Sequence, residues 1–197
     1  YRPAGKMASG SPGLRIIVHQ TAPIRLTYND AKKFDEFARE KGFDDALVQH
    51  QDRGLPLSKI TERYQRYAKS LIAVGGPEKM GTGQDRHLGL AIELVAEANP
   101  YQWPPLQSMP VRVYADGAPL ANAQITVFTR HNPRHVEKAK YQTDNDGRSN
   151  FLLLAGRDYL VDSVILRPMD GAIESGDVMW ESIWASLTFQ VPANPKM

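Results

Sequence analysis

Cysteine is absent from all 197 residues. That excludes disulfides and thiolate metal sites, although it identifies no compartment. Long apolar runs are also missing: none approaches the roughly 18 residues that a membrane helix needs. Excess charge is lacking as well, since 24 Lys and Arg against 22 Asp and Glu leave a net charge of +2. With no dense basic cluster, an electrostatic nucleic-acid surface is not indicated. The opening "YRPAGKMASGSPG" has neither an initiator Met nor a signal-peptide core. What is present is ordinary for a globular chain, with 42% hydrophobic and 23% charged residues in 22.0 kDa. One domain or two small ones with a sizeable core follow from that.

Patterning predicts a mainly β protein in two segments. "LRIIVHQ" (14–20) is a short β-branched run between Pro12-Gly13 and Pro23, and reads as a strand. "TYNDAKKFDEFAREKG" reads as a helix, with Thr27 and Asp30 resembling a capping box and Gly42 as its stop. "DDALVQHQDRG" repeats the plan and ends at Gly54. "SKITERYQRY" is expected to be a third helix capped by Ser58, because Ile60, Tyr64 and Tyr67 keep helical spacing. A change to strand is expected from Tyr67. The glycine-rich stretch 75–86 reads as a mobile loop, and "LAIELVAEA" as a strand with Glu93, Val95 and Glu97 on an exposed face. Residues 1–99 therefore form an N-terminal β region carrying two or three short helices. "NPYQWPPLQSMP" (99–110), with four prolines, reads as a stiff boundary segment.

From 105 to 192 strands and turns alternate at the spacing of an antiparallel β-sandwich. Val111, Val113 and Ala115 share a face before the Asp116-Gly117 hairpin turn. In "IWASLTFQV", Ile183, Ala185, Leu187, Phe189 and Val191 do the same.

Candidate sites are sparse. His131 and His135 in "TRHNPRHVEK" stand four apart, a spacing that pairs ligands on a helix. Asn132-Pro133 breaks any such helix, so a solvated hairpin tip is expected, with no third ligand written nearby. His19, His50 and His87 are scattered singly. "DNDG" (144–147) has Ala155 where a calcium loop needs Glu, so a tight turn explains it. The glycines near 75–83 lack the ending of a phosphate loop, and no serine has a nucleophile context. Trp180 and Trp184 remain as surface-contact candidates. Trp184 should lie opposite the core face of the last strand, exposed or packed beneath the helical segment.

Several stretches together resemble one bacterial family of exported proteins. They include "LTYNDAKKFDEFAREKGFDDALVQHQDRGLP", "ERYQRYAKSLIAVG", "LGLAIELVAEANPY", "MPVRVYADGAPLANAQITVF", "TDNDGRSNFLLL" and "WESIWASLTFQV". The family is a domain of unknown function linked to the substrate-specific component of nickel uptake, and the likeness runs from about residue 14 to 191. It implies a periplasmic protein made with a signal peptide, with further N-terminal residues ahead of Tyr1. It also implies an Ig-like or transthyretin-like C-terminal half. Its cargo would be a transition metal such as nickel, and its partner a membrane metal-transporter component. Intradiol dioxygenases share the "DG-x-P-L-x-x-A" and "TD-x-x-G" patterns, but here "MDGAIE" follows Arg167-Pro168 without their histidines. A non-enzymatic accessory protein is the expectation. A protein- or carbohydrate-binding module with no metal role is the alternative.

Overall fold

Eleven strands and two helices make up the described part of the chain, a computed structural model covering residues 10–75, 79, 82–102, 104–171 and 176–193. In chain order these are β1 (Gly13–Gln20), β2 (Ile24–Tyr28), α1 (Ala31–Glu40), α2 (Ala46–Asp52) and β3 (Ile60–Val74). Then come β4 (Ile92–Ala96), β5 (Ser108–Ala115), β6 (Ala118–Pro119), β7 (Gln124–Asn132) and β8 (His135–Gln142). The last three are β9 (Arg148–Leu152), β10 (Asp158–Pro168) and β11 (Val178–Gln190). The protein is mainly β, as its patterning predicts.

The larger sheet has seven strands in the order β1-β3-β11-β10-β7-β8, with β2 also paired to β3. The smaller has four, β4-β5-β6 with β9 on β5. Strands from both expected segments, 1–99 and 105–192, join in the larger sheet. Pairing is antiparallel except between β3 and β11, which run parallel. The sheets face each other across one core that includes Leu71, Leu94, Met109, Val111, Ile125 and Leu187. Each such side chain contributes on the order of 1.5–3 kcal/mol when fully buried.

Helices α1 and α2 cover part of the larger sheet's other face. Phe34, Ala38, Ala46, Leu55, Ile60, Met179 and Trp180 form a second core there. The molecule is thus layered as helices, sheet and sheet.

Three local expectations are corrected. Thr27 is a residue of β2, and the α1 cap is Asp30, whose side chain accepts from the Lys32 amide at 2.9 Å. Residues 58–67 form no helix: Lys59 takes φ +55° and the strand β3 starts at Ile60. β3 buries Ile60 and Glu62 toward the helices, then Tyr67, Lys69 and Leu71 toward the second sheet. That change of buried face imitates a helical period. Finally, all five residues of β4 are buried, so the face bearing Glu93 and Val95 is covered.

Turn chemistry follows the sequence more closely. Asp116 and Gly117 both take positive φ, as a two-residue hairpin of the primed type requires. At Gly147 a Cβ would lie 2.8 Å from the Val113 carbonyl and 2.9 Å from the Leu120 amide, so only glycine fits. Asp144 accepts from the amides of Asp146 and Arg148, which uses its carboxylate in the turn.

Candidate functional site

Three polar constellations stand out among the described residues, and the third borders the larger opening. The first lies under the helices. Trp180, 1% exposed, donates from Nε1 to His50 Nδ1 at 3.1 Å, and His50 Nε2 donates to the Pro56 carbonyl at 2.9 Å. The imidazole is neutral in that arrangement, and burial pushes its pKa down. Trp180 is therefore not a surface contact: its register opposite Glu62 carries it beneath α1 and α2.

Beside it, Glu62 is buried and accepts from Tyr28 Oη at 2.9 Å and Ser182 Oγ at 2.5 Å. Burial raises the pKa of both Glu62 and Tyr28. Trp184 donates to Ser182 Oγ at 2.8 Å and is only half-buried. Phe37 stacks on it, while Arg66 and Lys41 sit 4.5 and 4.7 Å from its ring centroid. It packs with the helical segment, and its π-face already has cationic partners.

The second constellation is a buried ion cluster that the sequence reading missed. Lys69 Nζ lies 2.7 Å from Asp85 and 2.9 Å from Glu93, with all three side chains at most 1% exposed. Lys69 also donates to the Arg86 carbonyl. Asp85 accepts from the amides of Arg86 and Ala96, and Glu93 from those of Leu88, Gly89 and Leu90. The described part of the expected loop is thus pinned over β4. His87 Nε2 lies 3.6 Å from Glu93, and its ring stacks on Tyr114 at 4.2 Å. A signal existed in "AKSLIAV" and "AIELVA", where one charge interrupts each apolar run. Burial of both needs a shared partner.

The third is an open groove of about 760 Å³ across the part of the larger sheet that the helices leave bare. Its floor crosses β3, β11, β10 and β7 through Ser70, Thr188, Leu160 and Phe128, successive cross-strand partners. The Ser70 and Thr188 hydroxyls are 2.7 Å apart. On one rim Arg130 pairs with Asp158 at 2.9 Å, and Gln190 donates to the other Asp158 oxygen at 3.0 Å. On the other rim Lys41 donates to Asp162 Oδ2 at 2.7 Å, while Asp162 Oδ1 is shielded with no hydrogen-bond partner among the described residues. The rim charges balance, and the floor is apolar toward β7 and hydroxylic toward β3.

The predicted hairpin tip is where His131 and His135 lie, near the end of β7 and at the start of β8. Both are exposed, and His135 Nε2 is 3.2 Å from Glu137. Arg130 and Val136 of the same hairpin line the groove, whereas His135 shares with Glu137 the face of β8 opposite Val136, and neither histidine lines it. Among the described residues, no group of three or more His, Asp or Glu is placed to hold a metal ion. His19 is on β1, at the opposite end of the larger sheet from β8, and His50 is buried against Trp180, so neither joins the hairpin pair.

A β-sandwich with a helical cap and a grooved sheet face defines a class that accommodates many unrelated functions. The chain belongs to a family defined only as a domain of unknown function, DUF4198, whose model matches residues 10–165. No curated protein and no solved structure matches it. Among the described residues no helix is long and apolar enough to cross a membrane.

Proposed function

We propose that this protein is a non-enzymatic, periplasmic binding component accessory to transition-metal uptake, and that its cargo is a metal chelate held in the groove of the larger sheet. The groove carries this reading. At about 760 Å³ it has the size of a small-molecule site, with a partly apolar floor and paired polar groups on both rims. The resemblance to a nickel-linked family supports the metal, and imidazole suits nickel, copper and zinc. His131 and His135, exposed on the hairpin that borders the groove, would offer a bare metal ion two imidazoles outside it. Two exposed imidazoles alone make a weak site, which suits a protein that hands its cargo to a membrane transporter component.

The test is calorimetric titration of the exported form with nickel, cobalt, copper and zinc, each alone and as its citrate chelate. Chelate binding that Leu160→Trp abolishes is the expected result. No binding tighter than about millimolar, roughly −4 kcal/mol, for any probe overturns the metal reading.

A second reading, a protein- or carbohydrate-binding module without metal, rests on the same groove. The observation favouring it is the balance of rim charges in Arg130–Asp158 and Lys41–Asp162, which selects for a neutral, hydrogen-bonding ligand. Groove binding indifferent to metal distinguishes it.

A further inference from the structure

The two edges of the larger sheet are treated differently. On the β8 edge, Lys138 and Lys140 reach Glu40 of α1 at 2.7 and 3.4 Å, and Glu137 meets His135. Charges of both signs on an edge strand block further pairing. The opposite edge carries charge of one sign only. It is formed by β1 and then β2, which lie end to end along β3 on either side of Pro23. From Gly13 to Asn29 the chain carries Arg15, His19 and Arg25 and no acidic residue. Val18, Ile24 and Leu26 are 40%, 45% and 43% exposed there.

Hydrogen-bond parity identifies the free groups. Thr21 N donates to Arg66 O at 3.0 Å, toward β3, whereas Leu14 N donates to Thr82 O at 2.9 Å, away from it. In an antiparallel ladder such directions alternate, so the amides of Ile16, Val18 and Gln20 also point away from β3. Among the described residues none of the three meets a partner. Arg15 and His19 stand on one face of β1, and Val18 on the other.

We propose that the β1 edge docks an extended segment of a partner polypeptide, added as a further strand, in which acidic residues alternate with apolar ones. The unpaired amides supply the ladder, Val18 the apolar contact, Arg15, whose guanidinium also donates to the carbonyls of Ser11 and Leu14, the positive charge, and His19 a hydrogen-bonding imidazole. A second copy of this chain fits poorly, because its own edge would bring the same basic residues against themselves.

The experiment uses a fluorescent peptide of about seven residues alternating Glu and Val, long enough to form one strand. Expected are saturable binding, weakened several-fold when salt rises from about 0.05 to 0.3 M, and slowed exchange of the Ile16, Val18 and Gln20 amides. Val18→Pro removes one outward donor and no rung of the existing ladder, and should weaken binding about fivefold. Should Val18→Pro fail to fold, a peptide N-methylated at alternate residues, tested on the unaltered protein, must lose binding instead. The proposal is overturned by absence of binding at millimolar peptide or by equal binding of the N-methylated form. Protection of the same amides by self-association at high protein concentration also overturns it.

Discussion

Trp180 and His50, 130 residues apart in sequence, share a hydrogen bond of 3.1 Å that ties the last strand to the second helix. His50 has no spare nitrogen, because Nε2 serves the Pro56 carbonyl. Protonation at Nδ1 would break the bond to Trp180, which is why the lowered pKa of His50 bears on stability. A depressed histidine pKa contributes stability that is present above the unfolded value of about 6.5 and lost as pH falls through the folded value. Urea midpoints should therefore decline from pH 7 toward pH 5. His50→Ala should cost about 3 kcal/mol at pH 7 and flatten that decline. An unchanged slope in the variant would contradict the assignment.

Glu62 acts with the opposite sign. Burial raises its pKa, so its contribution is fully present below the unfolded carboxyl value and is lost as pH rises through the folded one. Glu62→Gln keeps the partners Tyr28 and Ser182 within hydrogen-bonding reach and removes the charge. The variant should lie within about 1 kcal/mol of the parent at neutral pH. Its stability should fall more steeply on acidification, since the opposing contribution is gone. Denaturation curves at matched pH values measure this, and identical pH profiles would refute it.

Lys69 holds two carboxylates that have no water to turn to. Lys69→Met should destabilise by about 3–5 kcal/mol, because it leaves the buried carboxylates of Asp85 and Glu93 without their cationic partner. Hydrogen exchange should show the 82–90 backbone opening before the rest of the protein. Loss of less than about 1 kcal/mol, the scale of surface ion pairs, would mean the cluster relaxes into solvent.

His131 and His135 are exposed, and replacing both with alanine should shift stability by no more than about 0.5 kcal/mol. Binding of bare nickel should weaken in the same variant. In the parent it should decline below about pH 6.5, since ligating imidazoles must be neutral. A parent isotherm that the double variant reproduces at every pH would separate the histidines from the cargo.

Leu160 forms the middle of the groove floor and is partly exposed, so Leu160→Trp should fill the groove at a stability change within about 1 kcal/mol. The chelate titration reads the consequence. Retained binding would move the cargo elsewhere on the surface.

Local chemistry was legible in the sequence wherever a residue and its near neighbours decide the outcome. The Asp116-Gly117 turn, the Asp144–Gly147 turn, the Phe34–Ala38 face of α1 and the alternating run 183–191 all follow from backbone preference and period. Even the hairpin carrying His131 and His135 could be read from Asn132-Pro133. What the sequence could not express is which of two faces each element buries. β3 changes its buried face midway, which gave Ile60, Tyr64 and Tyr67 a helical spacing within a strand. Glu93 looked exposed because alternation says nothing of a segment folded over it. The pairing of Lys69 with Asp85 and Glu93, and the groove from Ser70 to Phe128, join residues far apart in the chain. Only the tertiary structure decides these, because the free energy of burying a charge or leaving a sheet face open depends on what packs against it.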